Sequence, residues 1–243
     1  MKPISFFNNN FNPVNLHRRS YQQELLDRDD IPFADIKRNM QELDFINTWL
    51  GGHAITLAGL RQLSRNQLSI SVCEIGCGGG DNLAAIARWC EKRKIIVSFT
   101  GIDKNPDCIT VAAARNLPHC TWITSDYKEV QFERKPDIIF SSLFCHHFPE
   151  RELKTQLLWM HHHARMGFFI NDLHRHPLAY YSIQWLTRLF SKSYLVKNDA
   201  PLSVARGFVK NDWEQLFDSV GITTFSVKWK WAFRWLVVVN SSS

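Results

Sequence analysis

The chain has 243 residues, 45% of them hydrophobic and 21% charged, with a formal net charge of +6. That is the composition of an ordinary globular protein long enough to bury a real core. No apolar run approaches the ~20 residues of a membrane span. The N-terminal stretch MKPISFFNNNFNPVN has neither an apolar h-region nor a small-residue cleavage site, so a cytoplasmic protein is expected.

Residues 1–20 read as irregular and mobile. Residues 33–50 place Phe33, Ile36, Met40, Leu43, Ile46 and Leu50 at three- and four-residue spacings, which predicts an amphipathic helix stopped by Gly51 and Gly52. A second helix follows over 53–64. Short apolar strands are then expected at 70–75, 95–103, 120–124, 136–144 and 167–172, with helices at 81–93, 106–116 and 149–163 between them. This alternation predicts an α/β protein with a parallel sheet and helices on both faces. Residues 203–220 read as one more helix, and 222–240 as a hairpin turning near Trp231–Phe233. The result is a Rossmann-like seven-stranded sheet with a terminal antiparallel hairpin.

The six cysteines (73, 77, 90, 108, 120, 145) are scattered without a CxxC, so they read as small buried thiols and no metal site is expected. Basic residues come in short, separated groups such as Lys92-Arg93-Lys94. They read as a solvated surface; no nucleic-acid partner is expected, and contact with an anionic membrane surface stays open.

Residues 72–82, VCEIGCGGGDN, carry the strongest signal. Glycines at the turn from the first strand into the first helix mark the nucleotide crevice of an open α/β sheet. Gly76, Gly78 and Gly80 follow Glu-x-Gly-x-Gly-x-Gly from Glu74. The last gap is one residue short of the dinucleotide pattern, and Asp81 at the helix start would repel a pyrophosphate. Both features point to a ligand without phosphates. Asp103 ends the second strand, where a carboxylate accepts from ribose hydroxyls. Asp126, followed by Tyr127, lies after the third strand, where a carboxylate accepts from an adenine amino group. A helix cap at Asp103 and a turn residue at Asp126 are the structural alternatives. Adenine, ribose and no phosphate, among acidic neighbours, suit S-adenosylmethionine (SAM), which carries a sulfonium and an ammonium.

In this order of motifs, residues 70–240 resemble the class I SAM-dependent methyltransferases. The resemblance implies that Gly76, Gly78, Gly80, Asp81 and Tyr127 line the cofactor site, that Asp103 takes the ribose and Asp126 the adenine, and that Glu74 orders the loop and reaches the methionine amino group through water. The product would be S-adenosylhomocysteine (SAH). It also implies a helical cap segment at 1–66 and a methyltransferase domain at 67–243 with a cap insertion at 174–202. A narrower likeness rests on GGGDN, QELLDRDDIP, INTWLGGH and NDLHRHPLAYY. These are similar to the ubiquinone/menaquinone methylase-like enzymes associated with type III polyketide synthases, which implies secondary metabolism and a small lipophilic phenol or quinol as acceptor. Cys77, and Glu rather than Asp at 74, depart from that pattern.

Methyl transfer to a hydroxyl needs alignment and removal of a proton. His146 and His147, just past the fourth strand, are the candidate bases, and Asp172, ending the fifth strand, is a candidate to orient one of them. His161–His163, at a helix end, read as terminal helix charge. The insertion carries Leu178, Tyr181, Ile183, Trp185, Leu186, Leu189 and Phe190 and is expected either to fold over the crevice as a cap or to close the core as an ordinary amphipathic helix; as a cap it would place Trp185, Leu186, Leu189 and Phe190, with Phe144 and Phe148, around an apolar acceptor pocket. O-methylation is favoured over C-methylation. A SAM-fold protein without catalysis and an RNA methyltransferase are the rival readings, the second without a supporting tetrad after strand four.

Overall fold

The computed structural model describes residues 15–28 and 30–241. The expectation of an irregular, signal-free stretch over residues 1–14 lies outside them. Seven strands form one sheet: β1 (Ser69–Ile75), β2 (Ile96–Asp103), β3 (Cys120–Thr124), β4 (Ile138–Ser142), β5 (Gly167–Leu173), β6 (Phe225–Lys230) and β7 (Arg234–Asn240). Their order is β3-β2-β1-β4-β5-β7-β6. β1 to β5 run parallel, whereas β7 is antiparallel to both β5 and β6. The hairpin turns at residues 231–233, as its sequence requires.

Helices cover both faces, because the central strands are apolar on both sides. On one face, α5 (Glu150–His163) and α8 (Lys210–Ser219) bury Leu153, Leu157, Met160, Trp213 and Phe217 against Phe168, Ile170 and Val237. On the other, α2 (Gly52–Leu63) and α3 (Asp81–Glu91) bury Ile55, Leu60, Leu83 and Ile86 against Val72, Phe140 and Phe169. α2 lies close because Gly59 has no side chain; a Cβ there would stand 2.5 Å from the Phe169 ring. α4 (Pro106–Ala113) starts on Pro106 and is capped by Asn105, whose side chain accepts from the Asp107 and Cys108 amides. Among the described residues no helix is long and apolar enough to cross a membrane. All six thiols are free, and all but Cys120 are buried.

Three expectations are corrected. The helix expected over 203–220 is two helices. α7 (Tyr194–Arg206) ends before Gly207, where a Cβ would meet the Leu173 carbonyl at 2.7 Å, and α8 restarts at Lys210. Between them Phe208 bridges to His174. α1 (Phe33–Trp49) forms where predicted but buries the predicted face only in part: Ile36 is buried, Met40, Leu43, Ile46 and Leu50 are half-buried, and Phe33 is exposed. Its buried side chains are Ile36, Asn39 and Asn47, while Phe33, Phe45 and Trp49 are exposed, Trp49 to 74%. The cause is its position: α1 packs on α2, α4 and α7 at the carboxyl edge of the sheet and faces polar groups there.

The insertion is the third. α6 (Pro177–Phe190) packs on α7, and α7 packs on α1 and on the strap of residues 25–27. Leu178, Tyr181, Trp185, Leu186, Leu189 and Phe190 point into solvent, Trp185 at 64% exposure. They form no pocket lining. α6 buries only Ala179 and Thr187, so its small side is the side that packs.

Candidate functional site

The glycine loop fits its geometry for a backbone reason. Gly76, Gly78 and Gly80 have φ of 65°, 50° and 71°, where a side chain is strained. The loop also lies under two rings: a Cβ on Gly76 would meet Phe144 at 2.1 Å, and one on Gly80 would meet Trp122 at 2.6 Å. Asp103 holds the loop in place. Its Oδ2 accepts from the Gly78 amide (2.8 Å) and its Oδ1 from the Asn105 amide (2.9 Å). Burial raises its pKa, and those two amides oppose the rise. Asn105, not Asp103, caps α4.

Glu74 is buried beneath the loop. One carboxylate oxygen accepts from Asn82 Nδ2 at 3.0 Å, and the other has no partner. Burial, with Asp81 nearby, pushes its pKa well above the usual carboxylate range. Asp81 accepts from Asn47 Nδ2 at 3.2 Å and pairs with His53 Nε2 at 2.8 Å. Burial would raise its pKa, but His53, with Asn47 and Arg115, lowers it overall. This pairing ties α1 and α2 to the start of α3. Asp126 caps the short turn 127–129 and pairs with Lys104 at 2.8 Å. Tyr127 is not where a cofactor residue is expected. Its side chain is buried in the core, edge-on to Phe144 and Trp159, because the turn after β3 points it inward.

The second cluster lies past β4. Leu143, at φ 54°, turns the chain so that residues 145–147 form one short turn at the carboxyl edge. His146 Nδ1 lies 2.7 Å from Asp172 Oδ1, with 3% of the residue exposed. The His147 ring lies beside it, tilted by 33°, with centroids 4.4 Å apart. Burial would raise the Asp172 pKa, but the charge and hydrogen bond of His146 lower it overall. An ionised Asp172 requires a proton on Nδ1, which leaves Nε2 as the ring nitrogen that faces Glu24. Burial would lower the His147 pKa, yet Asp27, 3.2 Å away, and Glu24 raise it.

Sequence reasoning did not assign the groups that hold this turn. Glu24 Oε1 stands 3.6 Å from His146 Nε2. Arg206 donates to the carbonyls of His146 and His147, and Arg19 to those of His146 and Phe148. A signal was present: Glu24 and Asp27 lie in QELLDRDDIP, Asn47 and His53 in INTWLGGH, and Asp172 in NDLHRHPLAYY. All converge on this edge. His161–His163 occupy the last turn of α5, at the opposite end of β5, with His163 Nδ1 2.8 Å from the Trp159 carbonyl. Two surface hollows, of about 350 and 290 Å³, are lined by Gln62, Thr224 and neighbours and by Ser20, Tyr180 and neighbours; neither reaches the glycine loop.

The residues present fit SAM. A side-chain-free loop, a buried carboxylate oxygen without a partner and a carboxylate at the end of β2 suit a cationic amino acid joined to a nucleoside.

Residues 72–167 match the family model described as a methyltransferase domain. No curated protein matches the chain in sequence. Among solved structures, the plantazolicin methyltransferase BpumL in complex with SAH is similar at 19% identity, over 87% of this chain and 89% of that one, with a TM-score of 0.62. The same enzyme with a pentazolic desmethylPZN analog and SAH gives 17% identity, 88% and 87% coverage and a TM-score of 0.59. A SAM-dependent methyltransferase from Aquifex aeolicus gives 14%, 85% and 98%, and 0.58. At these identities the likeness is one of fold. Residues 72–167 thus match a methyltransferase domain, and the fold of the chain is that of the SAM-dependent methyltransferases.

Proposed function

We propose that this SAM-dependent methyltransferase acts on an oxygen of a small lipophilic phenol or quinol. The observation that carries the reading is the Asp172–His146 pair at the carboxyl edge of the sheet, which offers Nε2 as a proton acceptor. SAM, when bound, supplies an electrophilic methyl on a sulfonium. Gly76, Gly78 and Gly80 would admit it, Glu74 would face its ammonium, Asp103 its ribose and Asp126 its adenine. His146 would take the hydroxyl proton, and Asp172 and Glu24 would hold the resulting imidazolium. The plantazolicin methyltransferase holds SAH and a desmethylPZN analog together, which supports small-molecule chemistry on this fold.

Exposed apolar side chains on α6, with Phe45 and Trp49 of α1, support a lipophilic acceptor drawn from a membrane surface, in the cytoplasm and within secondary metabolism. Each buried methylene contributes about 0.8 kcal/mol, so kcat/KM is expected to rise about fourfold per methylene across a series of alkylphenols or alkylresorcinols. A preference for charged, polar acceptors would remove the lipophilic reading.

Glu74 gives a test of the cofactor's charge. A cation arriving at its free oxygen favours the ionised form, so the raised pKa falls on binding. Between the two values the complex holds fewer protons than the free protein, and affinity rises with pH. Calorimetry with SAM in buffers of different ionisation enthalpy should show proton release in the wild type and none in Glu74→Gln. Equal release in both would place the titrating group elsewhere.

A further inference from the structure

Three buried arginines stand out among the described residues: Arg175 and Arg206 at 5% exposure and Arg234 at 3%. The first two are well supplied with acceptors. Arg175 donates to the carbonyls of Leu16 and Gly207 and to Asp212, and Arg206 to those of Gln22, His146 and His147. Arg234 is not. Its Nη2 donates to Asn47 Oδ1 at 3.0 Å, and its Nη1 has no partner. A guanidinium has five donors and a charge it does not shed, so burying it short of acceptors is costly.

Its location gives the shortage a meaning. Arg234 opens β7 and pairs with Leu173, one residue past Asp172, so it sits at the carboxyl edge of the sheet. Its one acceptor, Asn47, also donates to Asp81, which places the guanidinium beside the start of α3, where the glycine loop ends. On the same sheet face, Asn171 Oδ1 also lacks a partner, as does Glu74 Oε2 beneath the loop. Burial lowers the Arg234 pKa to about 10, against the attraction of Asp172 and Asp81. Those two carboxylates are already engaged, Asp172 by His146 and the Leu173 amide, Asp81 by His53 and Asn47. Neither supplies the missing acceptor.

We propose that Arg234 is an anion-binding residue of the crevice, whose free Nη1 receives an ionised oxygen group of a bound ligand. Arginine suits this task because its fork leaves a second edge open when the first is held by Asn47. The proposal rests on the crevice being the SAM and acceptor site. Two sources carry such a group: the methionine carboxylate of the cofactor, and an ionised oxygen on the acceptor.

The test uses Arg234→Met and Arg234→Lys in the full chain. Calorimetry is run with SAH and with 5′-methylthioadenosine, which lacks the amino-acid part. With SAH saturating, it is then run with 4-hydroxybenzoate and its uncharged methyl ester. The methionine source predicts a roughly 10–100-fold loss of SAH affinity in Arg234→Met, with methylthioadenosine unchanged. The acceptor source predicts unchanged SAH and a loss of that size for 4-hydroxybenzoate, with the ester unchanged. Arg234→Lys, which keeps the charge but not the fork, should lose less in either case, and it carries the test should Arg234→Met not fold. The unliganded Met variant should melt at or above the wild type, because an unpaired buried charge is gone. Unchanged affinity for both SAH and 4-hydroxybenzoate, or no 4-hydroxybenzoate binding in the wild type together with unchanged SAH, overturns the proposal alone. An equal loss for SAH and methylthioadenosine with a lower melting temperature also overturns it, marking Arg234 as a support for Asn47. A wild type that binds neither nucleoside overturns the crevice reading, and this proposal with it.

Discussion

Replacing His146 with alanine is expected to lower kcat by ~10²–10⁴ while leaving SAH affinity nearly intact. The ring lies in the turn after β4, and its Nδ1 meets Asp172 at 2.7 Å. Asp172 stays ionised because His146 outweighs the cost of its burial. Nε2 is therefore the ring nitrogen left to exchange a proton, with Glu24 Oε1 at 3.6 Å. Asp172→Asn should cost nearly as much, since the amide no longer fixes that tautomer. His147→Ala should cost less, because Asp27 and Glu24 raise the His147 pKa and favour its protonated form. The depressed pKa of Asp172 also sets a sign for stability. Its contribution is fully present above the unfolded value near 4 and is lost as pH falls through the lower folded value. Acid unfolding of Asp172→Asn should accordingly show a shallower pH dependence. Full turnover in both single histidine variants would leave alignment alone as the account of catalysis.

The sheet was legible because its signals are local. β1, β2, β4 and β5 are short apolar runs with Gly, Pro or Asp at one end, and the glycine loop announces its own backbone geometry. Asp103 and Asp126 were legible as strand-end carboxylates, though not their present partners, which are an amide of the loop and Lys104. Tyr127 was misplaced because its inward direction depends on the turn after β3 and on Trp159, a residue of α5. The apolar spacing on α6 shows a stripe but not which side packs; Ala179 and Thr187 do. Arg234 was invisible for a different reason. A lone arginine at a strand start reads as surface charge, and only the folded chain shows it buried beside Asn47.

Asp103→Ala is expected to weaken SAM and SAH binding by ~1.5–3 kcal/mol, the range of hydrogen bonds to a charged group, or about tenfold to a hundredfold in Kd. The carboxylate does two things at once. It accepts from the Gly78 and Asn105 amides, and so fixes the loop against the end of β2. It also keeps negative charge where ribose hydroxyls would donate. Burial works against that charge, and the two amides sustain it. The two roles separate by ligand and by variant. Loss of the ribose contact should weaken adenosine as much as SAH, whereas a loosened loop should weaken SAH more if Gly76 and Gly78 lie against the amino-acid part, as the resemblance implies. Asp103→Asn retains one oxygen for an amide and should keep the loop, so its remaining loss reports the charge. Calorimetry showing unchanged SAH affinity in a folded Asp103→Ala would remove Asp103 from the cofactor site and leave it as a loop clamp alone.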